Sequence, residues 1–225
     1  MTDLELSQYL SSIRPADEAA AAQARRRQAQ LAKPPGSLGA LEDYAERLCA
    51  ITRQSRPRLQ APAVLVFAAD NGVVAEGVAA TPQSVTLQQC IHMTEGKTGM
   101  SAMARYFGDR VLVTDVGIAA ETGCRAIRNR KVRLGTGNIA REAAMTRAEA
   151  LQAIAAGIEA VQDAANEGCD LVGIGEMGIG NTTTSAAVLA ALLQLPAVQV
   201  TGRGAGLTDE AFAKKRRVVD AALQL

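Results

Sequence analysis

The stretch LVGIGEMGIGNTTTSAAVLAALLQ, residues 171–194, sets the fold class of this 225-residue chain. It begins with a short apolar run at 171–174 that predicts a buried strand, passes through a glycine-rich turn, and continues as a helical segment. A strand that leads into a helix is the repeating unit of a parallel sheet with crossover helices. Because residues 182–194 carry no charge, we expect that helix to be buried on all sides.

The same alternation of strand and helix extends over most of the chain. Apolar runs predict further strands at 63–69, 111–116 and 198–201, and helical spacing predicts helices near 84–94, 98–107 and 146–167. In the last of these helices the apolar side chains form one stripe, made of Leu151, Ile154, Ala155, Ile158, Val161 and Ala165. The predicted fold class is therefore α/β, with a Rossmann-like parallel sheet flanked by helices.

The N-terminal part of the chain has a different, wholly helical character. A polar, alanine-rich helix is predicted to open at Ala16 or Asp17, and a second helix at about 38–54 follows a proline and glycine break. We therefore predict two parts: a helical N-terminal part of a small domain at 1–55, and a parallel α/β domain at 56–225.

Composition excludes several classes of function. The 24 Lys and Arg residues against 23 Asp and Glu residues leave a net charge of +1, and the chain has no Trp and only three Phe and three Tyr. A neutral surface with few aromatic side chains does not suit nucleic-acid binding. No apolar run is long enough to span a membrane, and the N-terminus has no signal-peptide pattern, so the predicted location is the cytoplasm.

The sequence also has few residues suited to metal binding or to a catalytic triad. The four cysteines, at 49, 90, 124 and 169, form no CxxC pair, and His92 is the single histidine. A zinc site needs convergent soft ligands at short spacing, so we predict no metal and four reduced thiols. A histidine-dependent triad would have to rely on His92 alone.

The polar and glycine residues of interest follow the predicted strands. Asp70 follows the strand at 63–69, Asp115 ends the strand at 111–116, and glycine-rich turns follow the two later strands. Ligands of open parallel sheets bind at the carboxyl ends of the strands. We therefore expect one pocket at this edge of the sheet.

The glycine-rich turn has the features of a phosphate site. Gly178 and Gly180 allow the backbone to approach an anion closely, while Asn181 and Thr182 begin a helix whose first N–H groups have no intrahelical partner. No Lys-Ser/Thr pair follows the glycines, so the turn is not a Walker loop. The alternative is a plain glycine-rich turn with an Asn or Thr cap. The second turn could wrap the other side of a phosphoribosyl group through Gly202, Arg203, Gly204 and Gly206.

Two charged residues near these turns are candidate catalytic residues. Glu176 lies beside the first turn, where a carboxylate is unfavourable unless it positions a group, moves a proton, or pairs with the amides of the helix N-terminus. Lys215 falls within the apolar stripe of a helix that opens at Thr208. A lysine on that side must either meet an anion or extend its ammonium to solvent.

Several motifs together resemble the nicotinate-nucleotide-dimethylbenzimidazole phosphoribosyltransferase family, in family order from residue 33 to the C-terminus. They are KPPGSLGALE (33–42), FAADNGVVAEGVAATPQSVT (67–86), VTDVGIA (113–119), GTGNIAREAAMT (135–146), GEMGIGNTTTSAA (175–187) and GRGAGLTDEAFAKK (202–215). One departure is Asn71, where the family often has a histidine after the aspartate.

The resemblance implies a reaction and its substrates. Nicotinate mononucleotide would donate its phosphoribosyl group to 5,6-dimethylbenzimidazole, giving α-ribazole 5′-phosphate and nicotinate for the lower ligand of cobalamin. It also implies a homodimer without metal or organic cofactor. Glu176 and Lys215 match family positions around the nucleotide. The benzimidazole would contact Gln83, Ser84 and Gln89, by analogy with the family's PQSVTLQQ stretch.

The resemblance also implies a missing part. Family members are about half again as long, and their general-base glutamate lies in a late Gly-Glu-Gly segment that this sequence does not contain. We therefore expect a C-terminally truncated α/β domain with weak or absent catalysis on its own. Two alternatives stay open: a module that binds a nucleotide or a benzimidazole without turnover, and an unrelated α/β phosphosugar enzyme.

Overall fold

The computed structural model describes all 225 residues and divides them into two compact units. The first unit is Thr2–Gln60, and the second is Ala61–Leu225, with which Met1 is grouped. None of the helices is both long enough and apolar enough to cross a membrane.

The first unit is helical. Helices α1 (Asp3–Ser11), α2 (Glu18–Ala29) and α3 (Ala40–Thr52) make it up, and α2 packs against α3. Asp17 is the N-cap of α2, where its side chain accepts a hydrogen bond from the Ala20 N–H at 2.9 Å. This carboxylate therefore sets the start of the helix and decides between the two predicted starts.

The second unit is built on a four-stranded, fully parallel sheet in the order β3-β2-β1-β4. The strands are β1 (Pro62–Ala69), β2 (Arg110–Gly117), β3 (Arg128–Asn129) and β4 (Leu171–Met177). The predicted α/β class, a parallel sheet flanked by helices, is confirmed. Strand β4 extends beyond its predicted end, so that Glu176 lies within the strand and pairs with Phe67 of β1.

Helices cover both faces of the sheet. Helices α4 (Val85–Thr94), α5 (Gly99–Phe107) and α6 (Arg147–Asn166) pack against the strands, while α7 (Asn181–Leu193) and α9 (Asp209–Ala222) pack against each other. Side chains alternate along β1, so Val66 packs in a core with Cys90 of α4, while Leu65 packs in a second core with Ala160 of α6. Both faces of β1 are therefore buried, which explains its uninterrupted apolar sequence.

The strand predicted at 198–201 is wrong, because this segment forms a short helix, α8 (Ala197–Val200). Its valines suggest a strand from propensity alone. Pro196 precedes the helix, the Thr201 N–H donates to the Ala197 carbonyl at 2.9 Å, and Ala197 is fully buried. Propensity is weak compared with packing, and here a buried alanine and a proline start determine the conformation.

Helix α7 is buried on one side only, so the prediction that it is buried all round is also wrong. Its small residues Thr183, Ala186, Ala187 and Ala190 face the core, while Leu192 on the other side is 77% exposed. The absence of charge does not decide burial, since apolar atoms also contribute much of the surface of folded proteins.

The stripe predicted for α6 is displaced around the helix. Leu151 is buried as expected, but Ile154 and Val161 are exposed. The core side carries alanines instead, at 156, 160 and 164. Alanines allow the helix to approach the sheet at Ala63 and Leu65, and close packing at that surface outweighs side-chain size.

Candidate functional site

A cavity of about 250 Å³ lies at the carboxyl end of β4. Three segments that are distant in the sequence form its wall: 78–81, 177–182, and 203–207 without Gly206. Lys215 of α9 completes the lining. The structure thus brings Gly178, Gly180, Asn181, Thr182, Arg203, Gly204 and Lys215 around one space.

The glycine-rich turn exposes backbone donors to this cavity. Gly180 has φ of 90°, in the left-handed region, and caps the start of α7. The N–H groups of Gly178, Gly180 and Thr182 have no acceptor within the protein. Unpaired N–H groups at the positive end of a helix favour a bound anion.

Close packing beneath the turn explains its first glycine. A Cβ atom at Gly178 would lie 2.1 Å from the Ala69 carbonyl oxygen. No side chain fits at that distance, so the turn can rest on the end of β1 only with glycine at this position.

Lys215 is the largest fully buried side chain of the chain, with 1% of its surface exposed. Its Nζ donates to the Thr182 Oγ1 at 2.7 Å and to the Gly202 carbonyl at 3.0 Å. No carboxylate pairs with it, and burial lowers the pKa of its ammonium. An unpaired buried ammonium at the wall of a cavity is suited to a phosphate or another anion.

The second glycine turn packs against the first. A Cβ atom at Gly204 would lie 3.0 Å from the Thr182 Oγ1 and 3.3 Å from the Lys215 Nζ. Gly202 contributes its carbonyl to Lys215, whereas Gly206 does not line the cavity. The turn therefore holds the lysine in place as well as closing one side of the cavity.

Arg203 lines the cavity, but its guanidinium group is engaged elsewhere. It pairs with Asp209, donates to the Leu207 carbonyl at 3.1 Å, and lies 4.9 Å from the centre of the Phe212 ring. The charge that faces the cavity is therefore that of Lys215 rather than that of Arg203.

Glu176 lies beside the cavity and does not line it. Its Oε1 accepts a hydrogen bond from the Asn181 Nδ2 at 2.5 Å, and the residue is exposed. In this arrangement the carboxylate orients the first side chain of α7. The proton-transfer role considered from the sequence stays a prediction.

The two aspartates are buried at the ends of neighbouring strands, Asp70 just after β1 and Asp115 within β2, and both contact the loop that follows β2. Asp70 accepts from the Ala119 N–H at 2.8 Å, and Asp115 accepts from the Gly117 and Ile118 N–H groups at 3.0 and 2.9 Å. The other oxygen of Asp115 lies 2.9 Å from the Lys131 Nζ. Neither aspartate lines the cavity, so both hold the loop in shape.

The residues predicted to bind the benzimidazole lie at the start of α4. The Gln83 Nε2 lies 3.5 Å from the Asn71 carbonyl oxygen, Ser84 precedes the helix without a side-chain capping hydrogen bond, and Gln89 lies within the helix. None of the three lines the cavity, whose wall is formed by the preceding segment 78–81. Their contacts with a base therefore stay a prediction.

Three features of the site were not predicted. Segment 78–81 lines the cavity, and Thr86 and Asn71 hold the glycine-rich turn from below. All of them lie within the stretch 67–86 that carries the family resemblance, which was the available signal. Their contacts are with residues about 90 to 110 positions later, which local sequence does not reveal.

These features define a class of α/β proteins, in which unpaired backbone N–H groups and a buried lysine lie at the carboxyl edge of a parallel sheet. This arrangement is suited to an anionic ligand. A family model described as phosphoribosyltransferase matches residues 13–225. The chain belongs to this family.

Similar proteins agree with this assignment. The chain is 45% identical over 221 residues to the nicotinate-nucleotide-dimethylbenzimidazole phosphoribosyltransferase of Roseiflexus sp. (strain RS-1). It is 46% identical over 221 residues to the protein of that name from Geobacter sulfurreducens. The crystal structure of the protein of that name from Thermus thermophilus superposes with a TM-score of 0.86 at 45% identity, over 92% of this chain and 62% of that one.

The matches are unequal in coverage. They span 98% of this chain but 63% of each of the two curated relatives. This chain therefore corresponds to somewhat less than two thirds of their length.

Proposed function

We propose that this chain binds nicotinate mononucleotide and takes part in transfer of its phosphoribosyl group to 5,6-dimethylbenzimidazole. The products are α-ribazole 5′-phosphate and nicotinate, in the synthesis of the lower ligand of cobalamin. The observation that carries the proposal is that Lys215, which is buried and pairs with no carboxylate, lies beside the unpaired N–H groups of the glycine-rich turn. The family match from residue 13 to 225 supports the choice of reaction and disfavours an unrelated phosphosugar enzyme.

The cavity accounts for one part of the reaction, which is holding the phosphate. The N–H groups of Gly178, Gly180 and Thr182 would receive its oxygens, and Lys215 would neutralise charge. With the phosphate held, C1′ of the ribose can be aligned for displacement. A benzimidazole nitrogen would form the new bond to C1′, and nicotinate would leave with the electrons of the old bond.

The reaction also releases a proton from the benzimidazole N–H, and this proton needs an acceptor. No carboxylate lines the cavity, and the nearby Glu176 is bonded to Asn181. The residues that line the cavity are thus suited to binding the nucleotide and aligning its ribose. The cavity lining does not supply the proton acceptor.

Calorimetry with purified chain 1–225 tests the binding step. We expect nicotinate mononucleotide to bind more tightly than nicotinate riboside, which lacks the phosphate. Equal or absent binding of the two would contradict the proposal. Mixing the chain with both substrates and assaying α-ribazole 5′-phosphate by chromatography then tests the transfer. Binding without product would support the alternative of a module that binds the nucleotide without turnover.

We further propose that the protein is a homodimer in the cytoplasm. The family resemblance supports the dimer, and the absence of disulfides among the four cysteines supports a reducing compartment. Light scattering after size exclusion measures the mass directly. A mass of one chain at micromolar concentration would contradict the dimer.

A further inference from the structure

We infer that Asn71 is a positioning residue for the phosphate, which acts by fixing the direction of the Gly180 N–H. The inference rests on the proposed function, because it assigns to Asn71 a part in binding the phosphate of the same nucleotide. Asn71 follows β1 and does not line the phosphate cavity. It acts from the opposite side of the glycine-rich turn.

Both ends of the Asn71 amide are used. Its Nδ2 donates to the Ile179 carbonyl at 3.1 Å, and its Oδ1 lies 3.1 Å from the Thr184 Oγ1, whose single proton is shared with the Asn181 carbonyl at 2.8 Å. The side chain therefore links the turn to the first helical turn of α7. Because a carbonyl oxygen can only accept, the contact with Ile179 determines which end of the amide faces the turn.

The contact with the Ile179 carbonyl has a consequence for the next residue. The Ile179 carbonyl and the Gly180 N–H belong to one peptide unit, and the chain contains no cis peptide bonds. In a trans peptide these two groups point in opposite directions. An Ile179 carbonyl held on Asn71 thus directs the Gly180 N–H away from Asn71, to the side of the turn on which the cavity lies.

The same peptide segment is held from its other end. The Ile179 N–H donates to the Oγ1 of Thr86 at 3.0 Å, and Thr86 is fully buried. With both its N–H and its carbonyl engaged, Ile179 cannot rotate its backbone without losing a partly buried hydrogen bond. Preorganised donors of this kind bind an anion without reordering when it arrives.

Packing reinforces the assignment. A Cβ atom at Gly180 would lie 3.2 Å from the Asn71 Cβ and 2.8 Å from the Val74 Cγ2. The turn thus lies directly on Asn71. The requirement for glycine at 180 comes from this contact as well as from its positive φ.

The family resemblance offers a matched substitution. A histidine at position 71 could donate from one ring nitrogen to the Ile179 carbonyl and accept at the other from Thr184. Asn71 and Thr184 both line a second cavity, of about 480 Å³, so the surroundings of position 71 are not close-packed on every side.

The experiment compares dissociation constants for nicotinate mononucleotide and nicotinate riboside in the full chain 1–225. We expect Asn71→Ala and the near-isosteric Asn71→Leu to weaken nucleotide binding about tenfold or more, since a charge-assisted hydrogen bond loses its orientation. In both variants the dissociation constant for the riboside should stay within about twofold of the wild-type value, which is a small change in binding free energy. Asn71→His should restore nucleotide binding to near the wild-type value.

Thr183→Val is the matched control. It removes a buried hydroxyl group from the same helical turn, but that hydroxyl has no hydrogen-bond partner. We expect it to leave both dissociation constants unchanged. Circular dichroism and thermal unfolding of each variant confirm that the compared proteins are folded, and Asn71→Leu preserves the packing volume if Asn71→Ala does not fold.

The outcomes separate the inference from the proposed function. Equal weakening of both ligands by the Asn71 variants would mean a purely structural role, and no weakening would mean no role; either result overturns the inference. If the wild-type chain does not prefer the nucleotide over the riboside, the proposed function itself fails, whatever the variants do.

Discussion

Lys215 illustrates how a single residue departs from the rules for cores. A fully buried lysine without a carboxylate partner is unfavourable, because its charge loses hydration that two neutral acceptors replace only in part. This loss of hydration lowers the pKa of its ammonium. Such a residue is retained more readily where a ligand supplies the missing negative charge.

Lys215→Met should weaken nucleotide binding strongly while leaving the fold intact. Removal of a charged hydrogen bond to phosphate predicts a loss of about 1.5–3 kcal/mol in binding free energy. Replacement of a buried charge by an apolar chain of similar length should not lower the free energy of unfolding. Calorimetry and urea denaturation measure the two effects.

The control is the exposed neighbour Lys214. Lys214→Met removes the same charge from the chain without touching the cavity. Should both variants lose affinity equally, the effect would be one of net charge, and the assignment of Lys215 would be wrong.

The lowered pKa of Lys215 also predicts a pH dependence. In the free protein the ammonium loses its proton below its ordinary pKa of 10.5, whereas a bound phosphate would stabilise the protonated form. Nucleotide affinity should therefore be greatest below the lowered pKa and decline as the pH rises through it. Binding within that pH range should take up a proton, which calorimetry in buffers of different ionisation heat detects.

The stability of the fold should change with pH in the opposite direction to the nucleotide affinity. Since the folded pKa lies below the unfolded value, the unfolded state binds more protons between the two, and stability should rise with pH across that window. Lys215→Met should abolish both dependences. A binding profile that stays unchanged in this variant would assign the titration to another group.

At the scale of elements, the junction between β4 and α7 combines two separate demands. The turn must approach β1 closely, and it must leave N–H groups unpaired towards the cavity. Glycine satisfies the first demand through its size and, at Gly180, through its φ of 90°. The start of α7 satisfies the second, because the first N–H groups of a helix have no intrahelical partner.

Gly178→Ala should destabilise the protein and impair binding. The added Cβ atom would meet the backbone oxygen of Ala69 at 2.1 Å, and a backbone contact cannot be relieved by rotating a side chain. We expect a loss of about 1–3 kcal/mol in unfolding free energy, which is typical of overpacking. Urea denaturation with two probes measures it.

Gly157→Ala provides the comparison. Gly157 lies within α6, and a Cβ atom there would contact nothing within 4 Å. The same substitution should raise stability by about 0.5–1 kcal/mol, because alanine restricts the unfolded chain and favours the helix. Similar effects at the two positions would show that the close approach at Gly178 has no energetic consequence.

At the scale of the whole molecule, the elements against which a helix packs determine which of its sides is buried. Helix α7 presents alanines to the core and large apolar residues to solvent. The composition of the helix points to the opposite arrangement. The packing of α7 against α8 and α9 selects the alanine side, where Ala186 and Ala187 contact Ala197 and Val219.

The effects of substitutions on the two sides of α7 on the unfolding free energy should therefore be opposite to those expected from hydrophobicity alone. Leu192→Gln, at a position 77% exposed, should change the unfolding free energy by no more than about 0.5 kcal/mol. Ala190→Leu, at a position 1% exposed, should lower it by about 1–3 kcal/mol although it adds apolar surface. A larger loss at Leu192 than at Ala190 would mean that the assigned orientation of the helix is wrong.

Much of this arrangement could be predicted from sequence. The strand and helix alternation, the glycine-rich turn after β4, and the place of Lys215 on the apolar side of α9 follow from local periodicity and turn chemistry, which short segments encode. The helix at 197–200, the core side of α6 and the exposed side of α7 do not follow from these signals. In each case the outcome depends on packing against other elements of the fold, which local sequence does not reveal.

The sequence by itself determined the α/β class, the family resemblance and the residues able to face a phosphate, since these depend on residue type and spacing. Only the tertiary structure decided which of those residues share a cavity. It paired Arg203 with Asp209, buried Asp70 and Asp115 against the loop that follows β2, and placed Asn71 beneath the glycine-rich turn. The physical reason is that a hydrogen bond requires partners within about 3.5 Å. Which residues come within that distance depends on how the elements pack, and Asn71 and Ile179, which are 108 positions apart, meet only because β1 and β4 are neighbours in the sheet.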